Sequence, residues 1–365
     1  MGNSTKYMTR AIRLAERGAG WTRPNPLVGA VVVKNGEIIG EGFHGYFGGP
    51  HAEAEAIAAC ATNPAGAEVY VTLEPCSHHG KTPPCTDLLI RSGISRVVIA
   101  MADPNPSVTG SGSEVLRRAG IEVETGMLEE KARRLNEPFI KFVTTGLPYV
   151  VLKTAMTLDG KIATVTNASR WITGESSRTL VHRMRQRYGA VLVGIDTVIW
   201  DDPLLNVRLK RTKTRQPLKV ILDSTLRIPS EAHVLTNEPQ LTLVATTEQA
   251  SKEKRKEIER TGAQVLVCPE KNGKVDFPFL MKALGTMDID SVMIEGGSQV
   301  AFSALREGIV DRVVTFIAPK ILGGEKAPTP VGGQGIATME QAIGLEGLEI
   351  TKLGGDLMIS GRIRR

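Results

Sequence analysis

Aromatic residues are scarce, 4% of 365 positions, which argues against a nucleic-acid surface built from stacking platforms. Cysteine is scarcer: Cys60, Cys76, Cys85 and Cys268 are too few in a chain this long for a disulfide framework, and a close pair in a reducing compartment points to metal or catalysis. No apolar run reaches the roughly 18 residues that a membrane span needs. Residues 1–20 form a charged amphipathic pattern without the apolar centre of a signal peptide. The expected location is therefore cytoplasmic, with no membrane partner. Internal repeats and low-complexity tracts are missing. So is a G-x-G-x-x-G after a strand, which leaves a Rossmann dinucleotide fold unsupported.

What remains is a globular mixture, 41% hydrophobic and 23% charged, long enough for two domains at about 100–200 residues each. Lys and Arg exceed Asp and Glu by six, 45 against 39. Residues 1–147 carry 15 basic and 15 acidic side chains, so the whole excess lies beyond them. That excess suits nucleic acid, phosphate-bearing metabolites or plain solubility. Three of four Cys and four of six His fall in the first part.

Met8–Arg17 has a helical apolar face. Residues 27–33 and 37–42 read as strands joined by Asn35-Gly36, a strong hairpin signal. Helices over 52–61, 86–92 and 113–119 then alternate with strands over 68–73, 96–100 and 121–125, which predicts a layered α/β domain with a mostly parallel sheet. One connecting helix is expected over 128–143, and breakers at residues 144–148 place a boundary there, giving domains 1–147 and 148–365. Strands over 149–155, 190–194, 218–223, 241–245, 264–267, 291–295 and 312–317, with helices such as 175–187 and 299–307, make the second domain α/β as well. Residues 252–260 read as a solvated helix face.

The chemistry begins at Pro50-His51-Ala52-Glu53, followed by Glu74-Pro75-Cys76 and, eight residues on, Cys85. One imidazole and two thiolates suit Zn²⁺, and three protein ligands leave the fourth tetrahedral position for water, whose pKa falls towards neutrality. Glu53, two residues past His51, sits beside the metal and not on it, placed to take a proton from water and pass it to a leaving amine. A closed structural zinc site with His78 or His44 as fourth ligand is the alternative. Cys60 reads as core.

The H-x-E followed by P-C and a second Cys resembles the zinc-dependent cytidine/deoxycytidylate deaminase superfamily, whose signature is H-x-E…P-C-x-x-C. Eight residues, not two, separate Cys76 from Cys85, and the form P-C-S-H-x-G-x-T-P-P-C resembles the deaminase of bacterial riboflavin biosynthesis. The six extra residues are placed to add specificity contacts, with His78, Lys81 and Thr82 as candidates for phosphate or ribose. The resemblance implies further substrate contacts from Asn25, His44, Asp103 and Asn105.

In the second domain, Val292 to Ser298 runs from a strand through Gly296 and Gly297 into a helix, and backbone N–H groups at such a start bind phosphate. Gly194 with Thr197 is a second candidate. Together with residues 149–161, Trp171-Ile172-Thr173, Asp201-Asp202-Pro203 and Ala318-Pro319-Lys320, the pattern resembles the reductase of the same pathway. That resemblance implies a dihydrofolate-reductase-like fold and NADPH. It places Lys153, Ser169, Arg185, Leu205, Arg208 and Glu295 on the substrate, with Lys153 as the catalytic candidate. It places Ala155, Trp171, Thr173, Gly194, Thr197, Asp201, Ser224, Gly296 and Gly297 on the cofactor. A solvated helix face is the plain alternative for Arg183, Arg185 and Arg187.

Over its full length the chain thus resembles the bifunctional deaminase/reductases of riboflavin biosynthesis. The resemblance implies a cytidine-deaminase-like three-layer domain with one zinc, then a dihydrofolate-reductase-like domain using NADPH. The substrate is a phosphorylated pyrimidine and the assembly a homo-oligomer. The competing expectation is a tRNA base deaminase with a basic accessory domain, which the near-neutral first part disfavours.

Overall fold

The structure, a computed structural model, describes residues 2–78, 83–105, 110–209 and 213–364. The chain divides into two compact units, Met1–Gly146 and Leu147–Arg365.

The first unit is built on a sheet of β1 (Gly29–Lys34), β2 (Glu37–Phe43), β3 (Glu68–Leu73), β4 (Arg96–Met101) and β5 (Glu122–Thr125) in the order β2-β1-β3-β4-β5. The hairpin Asn35-Gly36 has positive φ at both positions, as a primed turn requires. β1 pairs antiparallel with both neighbours, so the sheet is mixed and only its β3-β4-β5 half is parallel. Helix Ala52–Ala58 lies directly on β2: a Cβ at Gly42 would stand 2.3 Å from the Ala56 nitrogen, so only glycine admits that approach. Helix Gly2–Ala15 buries Met8, Ala11, Leu14 and Ala15 in the same core.

One expected element is broken. The single helix over 128–143 is instead two, Glu129–Leu135 and Glu137–Thr145. Between them Asn136 is buried, and its side-chain amide holds both backbone groups of Leu27, accepting from the N–H at 2.8 Å and donating to the C=O at 3.0 Å.

The second unit contains β6 (Tyr149–Thr157), β7 (Ala190–Gly194), β8 (Leu218–Leu222), β9 (Thr242–Thr246), β10 (Gln264–Val267), a small hairpin β11 (Glu270–Lys271) and β12 (Lys274–Val275), then β13 (Ser291–Gly296), β14 (Arg312–Ala318), β15 (Leu345–Leu353) and β16 (Asp356–Ile363). Its main sheet runs β10-β9-β8-β7-β13-β6-β14-β16-β15, parallel up to β14 and antiparallel beyond. Side chains alternate between two cores: Val151, Val191, Ile221, Val244 and Met293 face one, and Val150, Leu192, Val220, Leu243 and Ile294 the other. The hairpin β15-β16 lies beyond the last strand expected from the sequence.

Candidate functional site

In the first unit three groups converge. His51 precedes helix Ala52–Ala58 in extended backbone, Cys85 is the first residue of helix Cys85–Arg91, and Cys76 follows β3. His51 Nδ1 lies 3.5 Å from Cys76 Sγ and 3.3 Å from Cys85 Sγ. All three ligand atoms fall within 4.8 Å of one another. The Cys76 thiol is driven down to about 4, first by its hydrogen bond with Cys85 and then by His51. Its partner Cys85 is pushed up, first by its hydrogen bond with Cys76 and then by burial. One nitrogen and two sulfurs at this spacing are a soft donor set that fits zinc.

A cavity of about 310 Å³ opens on this group and is also lined by Asn25, His44, Glu53, Glu74, His78 and Asp103. Glu53 is buried, and desolvation raises its pKa above the ordinary carboxyl value. His44 Nδ1 lies 2.9 Å from the Pro50 carbonyl, which only accepts, so Nδ1 carries the proton. Nε2 then accepts from Asn25 Nδ2 at 3.3 Å, and burial keeps the ring neutral by lowering its pKa. Asn105 does not line the cavity; its backbone N–H donates to Asp103 Oδ1 at 2.9 Å. Lys81 and Thr82 lie outside the described residues. Glu74 is a cavity residue that motif reading passed over, although it directly precedes Pro75-Cys76.

In the second unit a cavity of about 610 Å³ gathers most of the expected residues: Lys153, Ala155, Ser169, Trp171, Arg185, Thr197, Asp201, Leu205, Arg208, Glu295, Gly296 and Gly297. Gly194 and Ser224 line a second cavity of about 940 Å³, and Asp196 borders both. Thr173 lines neither; its carbonyl accepts from Arg178 Nη1 at 2.7 Å. Arg170, not singled out from the sequence, lines the smaller cavity.

Glu295, at the end of β13, takes a bidentate pair from Arg185, with Nε at 2.6 Å and Nη2 at 2.8 Å, and faces Lys153 Nζ at 3.9 Å. Burial pushes the Glu295 carboxyl up, but Arg185, by charge and hydrogen bonds, and Lys153 override it and hold it at about 2. Burial lowers the Arg208 pKa, and the charges of Arg185 and Arg170 lower it further, as expected of crowded cations awaiting an anion. Burial and the charges of Arg185 and Arg208 bring His182 to about 4.

The glycines form a cradle at the start of helix Ser298–Arg306. Gly297 has φ of +88°, and a Cβ there would meet Val300 Cγ2 at 3.1 Å; one on Gly296 would stand 2.9 Å from Thr197 Oγ1. Bare backbone beside a helix start fits the diphosphate of a dinucleotide.

Comparison with known proteins gives one consistent result. Residues 148–359 match the RibD C-terminal domain family, and residues 1–101 match the cytidine and deoxycytidylate deaminase zinc-binding region. The riboflavin biosynthesis protein RibD of Actinobacillus pleuropneumoniae is 48% identical over 353 residues, 97% of this chain and 93% of that protein. The structure of Acinetobacter baumannii RibD superposes with a TM-score of 0.89 at 38% identity, covering 100% of this chain and 99% of that one. A diaminohydroxyphosphoribosylaminopyrimidine deaminase/5-amino-6-(5-phosphoribosylamino)uracil reductase from Thermotoga maritima gives 0.85 at 41% identity, with 100% and 99% covered. These matches favour the riboflavin reading over a tRNA base deaminase. With a zinc-binding deaminase region, a reductase domain and near full-length relatives, the chain belongs to the RibD family of bifunctional, zinc- and NADPH-dependent riboflavin biosynthesis enzymes.

Proposed function

We propose that the unit Met1–Gly146 deaminates the diaminohydroxyphosphoribosylaminopyrimidine named for the Thermotoga relative, and that the unit Leu147–Arg365 then reduces 5-amino-6-(5-phosphoribosylamino)uracil to the ribitylamino product. The observation that carries this reading is that the ligand atoms of His51, Cys76 and Cys85 lie within 4.8 Å of one another, with His51, Cys76 and the buried Glu53 lining one cavity. His51, Cys76 and Cys85 would hold the zinc, whose Lewis acidity makes hydroxide available at neutral pH. Glu53 moves the proton: it accepts one from water as the C–O bond forms and gives it to the amine nitrogen as the C–N bond breaks and ammonia leaves. Asn25, oriented by His44, together with Asp103 and His78, orients the pyrimidine.

In the second unit Gly194, Gly296 and Gly297 would cradle NADPH, which supplies the hydride. Arg170, Arg185 and Arg208 form the cationic side of the cavity and grip the substrate phosphate. Lys153, held by Glu295, polarises the ribose-derived centre that accepts the hydride. The test follows ammonia release from the phosphoribosylated diaminopyrimidine, then NADPH oxidation in the same tube. Ammonia first and NADPH loss second is expected; the absence of both would overturn the reading.

No helix among the described residues is long and apolar enough to cross a membrane. We infer a cytoplasmic enzyme, because Cys76 and Cys85 must stay reduced to serve as ligands; recovery in a membrane fraction would contradict it. We also infer a homo-oligomer: among the described residues β15 is the last strand of its sheet, and its Leu348 and Ile350 are 59% and 69% exposed, a surface suited to another copy. Sedimentation as a monomer would contradict that.

A further inference from the structure

Glu74 is 5% exposed. It lies outside the three groups that gather as a metal site, and hydrogen bonds from the backbone occupy both of its oxygens. Oε1 accepts from the Ser113 N–H at 2.8 Å, and Oε2 accepts from the Gly110 N–H at 2.9 Å and the Asp103 N–H at 3.3 Å. Both Glu74 oxygens are thus engaged as acceptors of backbone N–H groups, which suits a carboxylate that holds structure in place.

Its three partners divide between the cavity lining and a helix start. Asp103 lines the 310 Å³ cavity together with Glu74. Gly110 and Ser113 lie at the start of helix Ser111–Arg118, where a carboxylate on unpaired N–H groups is favourable. Contacts around Glu74 reinforce the joint. A Cβ on Gly112 would stand 2.0 Å from the Pro75 carbonyl oxygen, so the helix start rests directly on the stretch before Cys76, and Ser77 Oγ is 2.7 Å from Ser111 Oγ.

We propose that Glu74 is a positioning residue of the deamination site: its carboxylate ties Asp103 and the start of helix Ser111–Arg118 to the stretch carrying Cys76. It thereby sets the spacing between the metal group and the wall that faces the substrate. The proposal rests on the deaminase reading of the first unit. Asp103 sits 29 residues from Glu74 along the chain, so without the carboxylate its N–H loses this tie to the metal stretch and substrate grip weakens before the chemistry does.

The test uses the full zinc-loaded chain with E74Q and E74D. Gln keeps the shape but turns one oxygen into an NH₂ that must face at least one backbone N–H. The expected result for E74Q is a KM for deamination raised roughly ten- to a hundredfold, the range for losing hydrogen bonds to a charged group, with kcat changing far less. Zinc should remain at one per chain, and amide exchange at Asp103, Gly110 and Ser113 should speed up. E74D keeps the charge and should recover part of the KM. Reduction of the deaminated substrate reports that the chain is folded. Unchanged KM and exchange, loss of kcat at constant KM, or loss of zinc would each overturn the positioning role. No ammonia from the wild-type chain would overturn the deaminase reading itself and this role with it. Wild-type turnover with an unaltered E74Q sinks the positioning role alone.

Discussion

Replacing Glu295 with Gln is expected to destabilise the unit Leu147–Arg365 by about 3–5 kcal/mol, the range for removing one partner of a buried ion pair. The side chains of Glu295, Arg185 and Lys153 are only 6%, 12% and 13% exposed, so water cannot replace the lost anion. The same size follows from titration: Glu295 is held at about 2 against an ordinary 4.5. That gap is worth about 3 kcal/mol at neutral pH. For a unit of this size each kcal/mol moves Tm by about 2–4 °C, so a fall of about 6–20 °C is expected. Because the folded-state pKa is depressed, the stabilisation is fully present above about 4.5 and is lost as pH falls toward about 2. Calorimetry across that window should show the wild-type stability falling more steeply with acid than that of E295Q. Zinc content and ammonia release, which depend on the other unit, serve as controls. An E295Q transition within about 2 °C of wild type, or an unchanged acid slope, would refute the reasoning.

Glu53→Gln should keep zinc bound yet lower deamination by about 10²-fold or more, while NADPH oxidation with the deaminated substrate continues; equal loss of both activities would contradict separate sites. Chelation should stop ammonia release and spare reduction, with added zinc restoring the first; failure of zinc to restore it would count against the donor set His51, Cys76 and Cys85. Lys153→Met should impair reduction alone, read as NADPH oxidation beside unchanged ammonia release. Gly297→Ala adds a Cβ at φ +88° and 3.1 Å from Val300 Cγ2, a strain of about 1–2 kcal/mol. NADPH affinity should fall roughly tenfold in a fluorescence titration, and an unchanged Kd would remove Gly297 from the cradle.

Much of this architecture is legible from local pattern. Strands such as Gly29–Lys34 and Ala190–Gly194 announce themselves as short β-branched runs between turn signals, and H-x-E with P-C and a second Cys singles out the three ligand groups that converge in the first unit. What is not legible depends on distant partners. The break at Asn136 has a local mark in Pro138 at the start of the second helix, but the buried role of the Asn136 side chain depends on Leu27, 109 residues away. Glu74 finds its amides 29 to 39 residues along the chain, beyond any motif. Strand β15 is exposed over almost its whole length, so it lacks the apolar alternation that marks a half-buried strand; the Gly354-Gly355 turn is its remaining signal. Thr173 sits beside Trp171 in sequence, but its backbone is engaged by Arg178 and it lines neither cavity.

The clasp between Asn136 and Leu27 limits how this chain can be divided into two polypeptides. A cut just after residue 101, where the match to the zinc-binding region ends, would discard Asn136 and leave both polar groups of the Leu27 backbone buried without partners. Leu27 stands two residues from Asn25, so the damage would reach the lining of the 310 Å³ cavity although His51, Cys76 and Cys85 all remained. A separated, working deaminase would need to run through Gly146. In a gene split by evolution or by design, helix Glu137–Thr145 and the turn before it travel with the zinc site and not with the reductase.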